Sequence, residues 1–204
     1  VEAVEAAEKS DNDDLLAWAL IGQAVCFQTE GNIIRAEHIL ERVLKLNRKI
    51  KSQSVDGYAT NLVGNGYRDK GRFDSAYFHY RRAWRVMEQE KDPLFPLVYH
   101  LELGRFFNVL DKGDSVISHA DQVISSHSRL RETGLIREAY ILKASGLAMK
   151  FRYDEAEGYL KKAIALSDSN STSYLRASII RGKIRFNQGD YPGALNYWRN
   201  ILET

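Results

Sequence analysis

A glycine recurs inside an apolar helical pattern roughly every 40 residues, and this period constrains the fold more than any other feature of the chain. After each glycine comes a short polar break and then a second apolar stretch rich in small residues. Because apolar residues three and four apart share one helix face, each period predicts two helices. A fixed period of about 20–50 residues indicates an array of stacked structural repeats. The glycines, with spacings of 42, 40, 42 and 36 residues, are Gly22, Gly64, Gly104, Gly146 and Gly182.

The second and last units match each other most closely. Counted from the glycine, a second glycine follows at seven residues, and small, aromatic or branched apolar residues follow at twelve, sixteen and nineteen. The first unit has its turn two residues late and the fourth has it two residues early, whereas the third places Ser118 and Ser125 where alanines are expected. The matching residues are Gly71, Ala76, Tyr80 and Ala83 in the second unit and Gly189, Ala194, Trp198 and Ile201 in the last.

This pattern resembles the tetratricopeptide repeat (TPR), in which small residues let two antiparallel helices pack closely. The standard repeat has about 34 residues, whereas most of these run to about 40. Repeats of that length are similar to those of kinesin light chains, bacterial peptide-pheromone receptors and the sensor segments of large bacterial transcription activators. The resemblance covers nearly the whole chain and implies an all-α, right-handed superhelical solenoid of about five TPR-like hairpins.

Turn and cap residues set the expected element boundaries. Asp13 or Asp14, Asp92 and Asp190 stand where helix N-caps are expected. Helices should stop in a left-handed conformation at four glycines, Gly31, Gly71, Gly113 and Gly189. Residues 1–9 are predicted to be the end of an earlier repeat helix, and 10–204 an array cut from a longer protein. The ten expected helices are 14–29, 33–48, 54–69, 73–90, 94–110, 114–127, 131–150, 153–167, 171–187 and 191–203, which pair into hairpins at about 14–48, 54–90, 94–127, 131–167 and 171–203.

Composition argues against several classes of function. A formal charge of +2 does not predict direct binding to nucleic acid. No apolar run reaches the roughly 18 residues of a membrane span. The single cysteine, Cys26, excludes an internal disulfide and a cysteine-based zinc site. A cytoplasmic location is expected, with the periplasm left open.

The chain has no recognisable catalytic motif. Its five histidines never fall at the i, i+4 spacing that places two metal ligands on one helix face. Gly64 and Gly66 superficially suggest a phosphate-binding loop, but that loop must link a strand to a helix, and these glycines lie in a helical pattern. We therefore expect neither an enzyme nor a bound metal or cofactor.

The TPR resemblance also predicts where a partner binds, because the first helix of each hairpin lines the concave groove in that family. The groove positions of the second to fifth units, which also take in Asp69, Glu102, Lys150 and Asn187, include six basic and two acidic groups. Asn61 and Asn65 share one helix face, and each amide can both donate to and accept from a peptide backbone. An ordinary solvated polar surface remains the alternative. The predicted groove residues are Tyr58, Asn61, Asn65, Arg68, Arg105, Asn108, Tyr140, Lys143, Arg176 and Lys183.

Two functions follow as hypotheses. In the first, the chain is a peptide- or protein-binding module of a scaffold or regulatory protein, and its ligand is an extended segment that bears carboxylates. In the alternative, it is the effector-sensing segment of a bacterial transcription regulator or signalling protein. Self-association through an end of the array is also expected, because the last predicted helix carries apolar residues at Leu195, Trp198 and Ile201.

Overall fold

The computed structural model describes residues 2–88, 90, 92–130, 133–168 and 171–202. Within those ranges the secondary structure is helical, with no strand, which confirms the predicted all-α repeat class. None of the described helices has the length and apolarity needed to cross a membrane. The helices are α1 (Glu2–Lys9), α2 (Asp13–Thr29), α3 (Ile33–Ile50), α4 (Gln53–Asp69), α5 (Phe73–Met87), α6 (Phe95–Val109), α7 (Gly113–Leu130), α8 (Thr133–Met149), α9 (Tyr153–Ala165), α10 (Thr172–Asn187) and α11 (Tyr191–Leu202).

The chain divides into two compact units. Unit 1, Val1–Tyr99, contains α1 to α5 and the start of α6, and unit 2, His100–Thr204, contains the rest of α6 and α7 to α11. Five hairpins follow one another, formed by α2 and α3, α4 and α5, α6 and α7, α8 and α9, and α10 and α11. We number them 1 to 5. Small and branched apolar residues fill the core of each unit, with Leu20, Leu40 and Val43 in the first and Leu147, Leu160 and Ala163 in the second.

Polar side chains begin the helices at some of the predicted places and not at others. Asp92 and Asp190 accept hydrogen bonds from the backbone amides of Phe95 and Gly193, as expected of caps. At α2 the cap is Asn12, whose Oδ1 accepts from two backbone amides. Asp13 and Asp14, predicted as the caps, instead lie in the first turn of α2, where a negative charge also favours the helix.

The turn inside each hairpin contains one residue with a left-handed backbone conformation. We call these the turn residues, and the four intervals between them are 40, 40, 40 and 38 residues. Gly113 was predicted to stop a helix in this way, but it is the first residue of α7, and Asp111 takes the left-handed conformation two residues earlier. Aspartate visits this region more readily than most residues, so glycine is not required. The turn residues are Gly31, Gly71, Asp111, Phe151 and Gly189, with φ of 76°, 70°, 56°, 59° and 83°.

Seven residues before each turn residue lies a small residue at the helix crossing, which we call the anchor. In hairpins 1 and 4 the anchors are Ala24 and Ala144, both fully buried, and not Gly22 and Gly146 as the sequence suggested. A Cβ on Gly22 would meet open space, and one on Gly146 would meet Gly113 and Val116 of the preceding helix. Alanine is small enough for the helix crossing. The prediction from glycine therefore displaced these two anchors by two residues. The anchors are Ala24, Gly64, Gly104, Ala144 and Gly182.

The third hairpin obeys the same register. Val116, Ala120 and Val123 are buried at twelve, sixteen and nineteen residues from Gly104. Ser118 and Ser125, which were expected in these places, are exposed. All five hairpins therefore share one register, in which the second helix buries the residue twelve positions beyond its anchor: Ala36, Ala76, Val116, Ala156 and Ala194.

Candidate functional site

The first helices of hairpins 4 and 5 enclose a cleft in unit 2, which we call the unit 2 cleft. It consists of two adjoining hollows of about 170 and 190 Å³, which share Ser145 and Ile180. Ile179 is 49% exposed although it lines the cleft, so its apolar surface faces solvent. The apolar walls are formed by Ile141, Leu142, Ala148, Met149, Ile179 and Ile180.

A cluster of charged side chains lies beside the smaller hollow. Glu138 Oε2 accepts hydrogen bonds from Arg105 Nη2 at 2.9 Å and from Arg176 Nη1. Ser173 Oγ donates to the other carboxylate oxygen at 2.7 Å. Glu102 forms a second ion pair with Arg105. The two predicted groove arginines thus contact carboxylates of the chain itself.

The environment keeps Glu138 ionised. Burial by itself would raise the pKa of Glu138, but the guanidinium groups of Arg176 and Arg105 and the hydroxyl of Ser173 together hold it below its ordinary value. The carboxylate therefore carries its negative charge at neutral pH.

Other polar groups line the cleft. Ser145 Oγ donates to Asn108 Oδ1 at 2.7 Å and so joins α8 to α6. Lys183 is exposed, lines the larger hollow with Asp111 and Asn187, and forms no ion pair with any described residue. Three of the predicted residues, Asn108, Arg176 and Lys183, thus lie on one cleft.

In unit 1, the face of α4 that corresponds to the cleft-lining faces of α8 and α10 is closed. Asn61 is 1% exposed and Asn65 is 6% exposed, whereas both amides were predicted to face a groove. Asn65 Oδ1 accepts from the hydroxyl of Tyr80 at 2.8 Å and from Arg68 Nη1 at 3.4 Å. Asn61 Oδ1 is buried and has no hydrogen-bond partner among the described residues. Tyr80 covers this face because it reaches across from α5.

Tyr58 also lies in packed surroundings in unit 1. Its hydroxyl donates to Asp92 Oδ2 at 3.0 Å, and its ring makes edge-on contacts with Trp18 and Phe95. Burial, together with the negative charge of Asp92, raises the pKa of Tyr58 above its ordinary value. The residue joins the helix face of unit 1 to the start of α6.

Tyr140 and Lys143 do not line the unit 2 cleft. Lys143 Nζ donates to Asp121 Oδ1 of α7 at 2.5 Å and lies 4.5 Å from the ring centre of Tyr159 of α9. The ring of Tyr140 packs against the same tyrosine. The reason is the two-residue error in the anchor, because Glu138 and Ile141 take the places that Tyr140 and Lys143 were expected to occupy.

Comparisons with known proteins identify the fold. No protein-family model matches the chain, and no curated protein sequence matches it. Two of the solved structures that match the chain are similar to it over almost its full length. BtubC (BKLC) from P. vanneervenii matches with a TM-score of 0.70 and 16% identity, over 99% of this chain and 86% of that one. Rap protein complexed with Competence and Sporulation Factor matches with a TM-score of 0.70 and 15% identity, over 98% of this chain and 60% of that one.

The chain has a TPR-like helical repeat fold. Identities of 15% and 16% support the fold and nothing finer. In the TPR-like register, Ile141 and Ile179 lie three residues before their anchors, and Ser145 and Lys183 lie one residue after. The sequence contained a signal for Ile141, Ser145 and Glu138, namely the exact 40-residue spacing of the turn residues. That signal was hidden because Asp111 and Phe151 replace glycine.

A pair of histidines lies elsewhere in unit 2, inside hairpin 3. Their Nδ1 atoms are 2.9 Å apart, and the ring of His119 also stacks on Phe107. Burial and the neighbouring His100 lower the pKa of His119 from 6.5 to about 4. Across the described residues, no three His, Cys, Asp or Glu side chains come together as a metal site would require.

Proposed function

We propose that this chain is a peptide-binding repeat module that holds an extended segment of a peptide or protein in the unit 2 cleft. The observation that carries the proposal is the exposed apolar wall of this cleft, next to polar groups at Ser145 and Lys183. Apolar contacts give affinity, whereas a few placed polar groups fix the backbone of a bound segment. The complex of Rap protein with Competence and Sporulation Factor supports this function for a similar fold.

The division of the cleft into two small hollows favours a peptide, with one side chain in each hollow, over a single compact effector. Pockets for small ligands usually enclose about 300–1,000 Å³, whereas these hollows enclose about 170 and 190 Å³. Each hollow suits one apolar side chain. Because the hollows adjoin at Ser145 and Ile180, a single extended segment would place a side chain in each.

The backbone at the cleft supports a binding role as well. Phe151 lines the larger hollow, is 75% exposed, and has the left-handed φ of 59°. A bulky residue in this conformation is strained, and such strain tends to collect at functional sites. Glycine would avoid this strain, as it does at three of the five turn residues. The exposed Phe151 ring at the mouth of the cleft is therefore explained by contact with a ligand.

The chemistry of the cleft favours binding without catalysis. The hydroxyl of Ser145 donates to an amide oxygen of Asn108, which cannot act as a general base. Glu138 is held in its ionised form by two arginines, and an ion-paired carboxylate of low pKa is a weak proton acceptor.

The test uses fluorescent peptides recovered from a random-peptide display library. Ile179→Glu should weaken binding by at least about tenfold, because it puts a charge where an apolar side chain would be buried. The matched control is Ile34→Glu, at an exposed isoleucine of α3, which should leave the dissociation constant unchanged. Equal affinity for both variants, with circular dichroism showing intact folds, would place the ligand outside the unit 2 cleft.

A further inference from the structure

Glu138 is more buried than the two arginines that it pairs with in the charged cluster beside the cleft. Its side chain is 15% exposed, whereas those of Arg105 and Arg176 are 30% and 35% exposed. Arg176 lines the smaller hollow, so one of the two guanidinium groups held by Glu138 belongs to the proposed ligand site. The carboxylate therefore lies behind the arginines, on the side away from solvent.

The charges that the described residues bring to this cluster balance. Arg105 and Arg176 supply two positive charges, and Glu102 and Glu138 supply two negative charges. Glu138 also accepts from Ser173, so three donors converge on its two oxygens. A carboxylate satisfied in this way occupies the arginines as an acidic ligand would.

We propose that Glu138 acts as an internal ligand for Arg105 and Arg176 and thereby makes the unit 2 cleft select neutral peptides over acidic ones. This inference rests on the proposed function and names the class of peptide that the cleft accepts. It replaces the acidic ligand expected from the arginines in the sequence. Since an incoming carboxylate meets two arginines that are already paired with carboxylates, it gains little attraction, and displacing Glu138 would leave that largely buried group without its cationic partners.

The position of Glu138 in the repeat register explains how one carboxylate reaches both arginines. It lies six residues before its anchor, the place that Tyr58 occupies in hairpin 2 and Arg176 in hairpin 5. Its two arginine partners come from the hairpins before and after it. A single carboxylate on the middle helix thus neutralises cations from both neighbouring first helices.

The experiment compares two forms of one library peptide, a neutral form and a form in which one residue facing the cleft is glutamate. The wild-type protein should bind the neutral form more tightly. Glu138→Gln keeps the shape and removes the charge, so the ratio of acidic to neutral affinity should rise by at least about tenfold. Glu155→Gln is the matched control, because this substitution changes the net charge by the same amount. Glu155 pairs with Arg152 at the exposed start of α9.

A second measurement needs no peptide. Inorganic phosphate, titrated at constant ionic strength, should shift the arginine side-chain NMR signals of Glu138→Gln in a saturable way, but not those of the wild type or Glu155→Gln. If phosphate binds only to Glu138→Gln while no peptide binds any form, the proposed function is wrong and the role of Glu138 stands. If peptides bind but neither the affinity ratio nor the phosphate response changes, Glu138 does not set selectivity.

A third variant covers the case in which Glu138→Gln fails to fold. Arg176→Gln removes one of the cations and leaves the cluster with an excess negative charge, so the acidic peptide should bind still more weakly relative to a lysine-containing analogue. An unchanged ratio in the folded variant would overturn the proposal.

Discussion

Hairpin 2 in unit 1 and hairpin 5 in unit 2 use the same register to build opposite surfaces. Three residues before and one residue after the anchor, hairpin 2 has Asn61 and Asn65, which are buried, whereas hairpin 5 has Ile179 and Lys183, which are exposed. The polar Asn61 and Asn65 are thus buried and the apolar Ile179 is exposed, which is the reverse of what side-chain polarity predicts. A repeat position does not by itself determine exposure, because side chains from neighbouring helices cover it or leave it open.

Tyr80 accounts for part of this difference. It lies sixteen residues beyond its anchor, where hairpins 1, 3, 4 and 5 have residues without a phenolic hydroxyl, Leu40, Ala120, Leu160 and Trp198. Its ring is fully buried beneath Gly64, and its hydroxyl reaches Asn65. One tyrosine on the second helix thus fixes the polar groups of the first.

The largest expected effect comes from crowding this tyrosine. A Cβ on Gly64 would lie 2.8 Å from the Tyr80 ring, so Gly64→Ala should cost about 1–3 kcal/mol through overpacking, reduced by up to about 1 kcal/mol from better helix propensity. Gly22→Ala is the control, since a Cβ there meets open space, and it should stabilise by about 0.5–1 kcal/mol. Urea denaturation measures both. Equal effects of the two changes would contradict the assignment of Gly64 as the anchor.

A smaller effect should follow from removing the tyrosine hydroxyl. Tyr80→Phe leaves the buried amide oxygen of Asn65 with only the longer contact from Arg68, and a lost buried hydrogen bond costs about 1 kcal/mol. Thermal unfolding of Tyr191→Phe, at an exposed tyrosine, provides the comparison. Identical melting temperatures for both variants would show that the hydroxyl does not hold the closed face of unit 1.

Mild acid should give the smallest effect, and it should act on unit 2 through the histidine pair. The pKa of His119 is about 4 in the folded protein against 6.5 ordinarily, so between these values the unfolded chain binds a proton that the folded chain does not. Stability is therefore lost as pH falls from about 6.5 towards 4. Because the ring is only half-buried, water screens the effect to below about 1 kcal/mol.

His119→Asn should flatten this pH dependence in thermal unfolding. His38→Asn, at a histidine whose side chain is 75% exposed, should leave it unchanged. A wild-type slope retained in His119→Asn would show that the acid response arises elsewhere.

The sequence predicted the hairpins well because helix periodicity and turn residues are local signals. It predicted the site less well, for reasons that concern particular residues. Glycine marked the anchors at Gly64, Gly104 and Gly182, but alanine serves equally at Ala24 and Ala144, and a two-residue shift moves a prediction to a different helix face. The pairing of Arg105 and Arg176 with Glu138 depends on contacts between residues 33 and 38 positions apart, which local patterns do not reveal.

The regular interval between turn residues also makes the chain a set of interchangeable parts. Asp111 and Phe151 are 40 residues apart and share a backbone conformation, so the segment between them contains one complete second helix and one complete first helix. Duplicating that segment after Phe151 would restart the chain in the same conformation and preserve every distance from anchor to turn. Protein design could in this way lengthen the array by one hairpin and add a second copy of the α8 surface, without a new connection between hairpins.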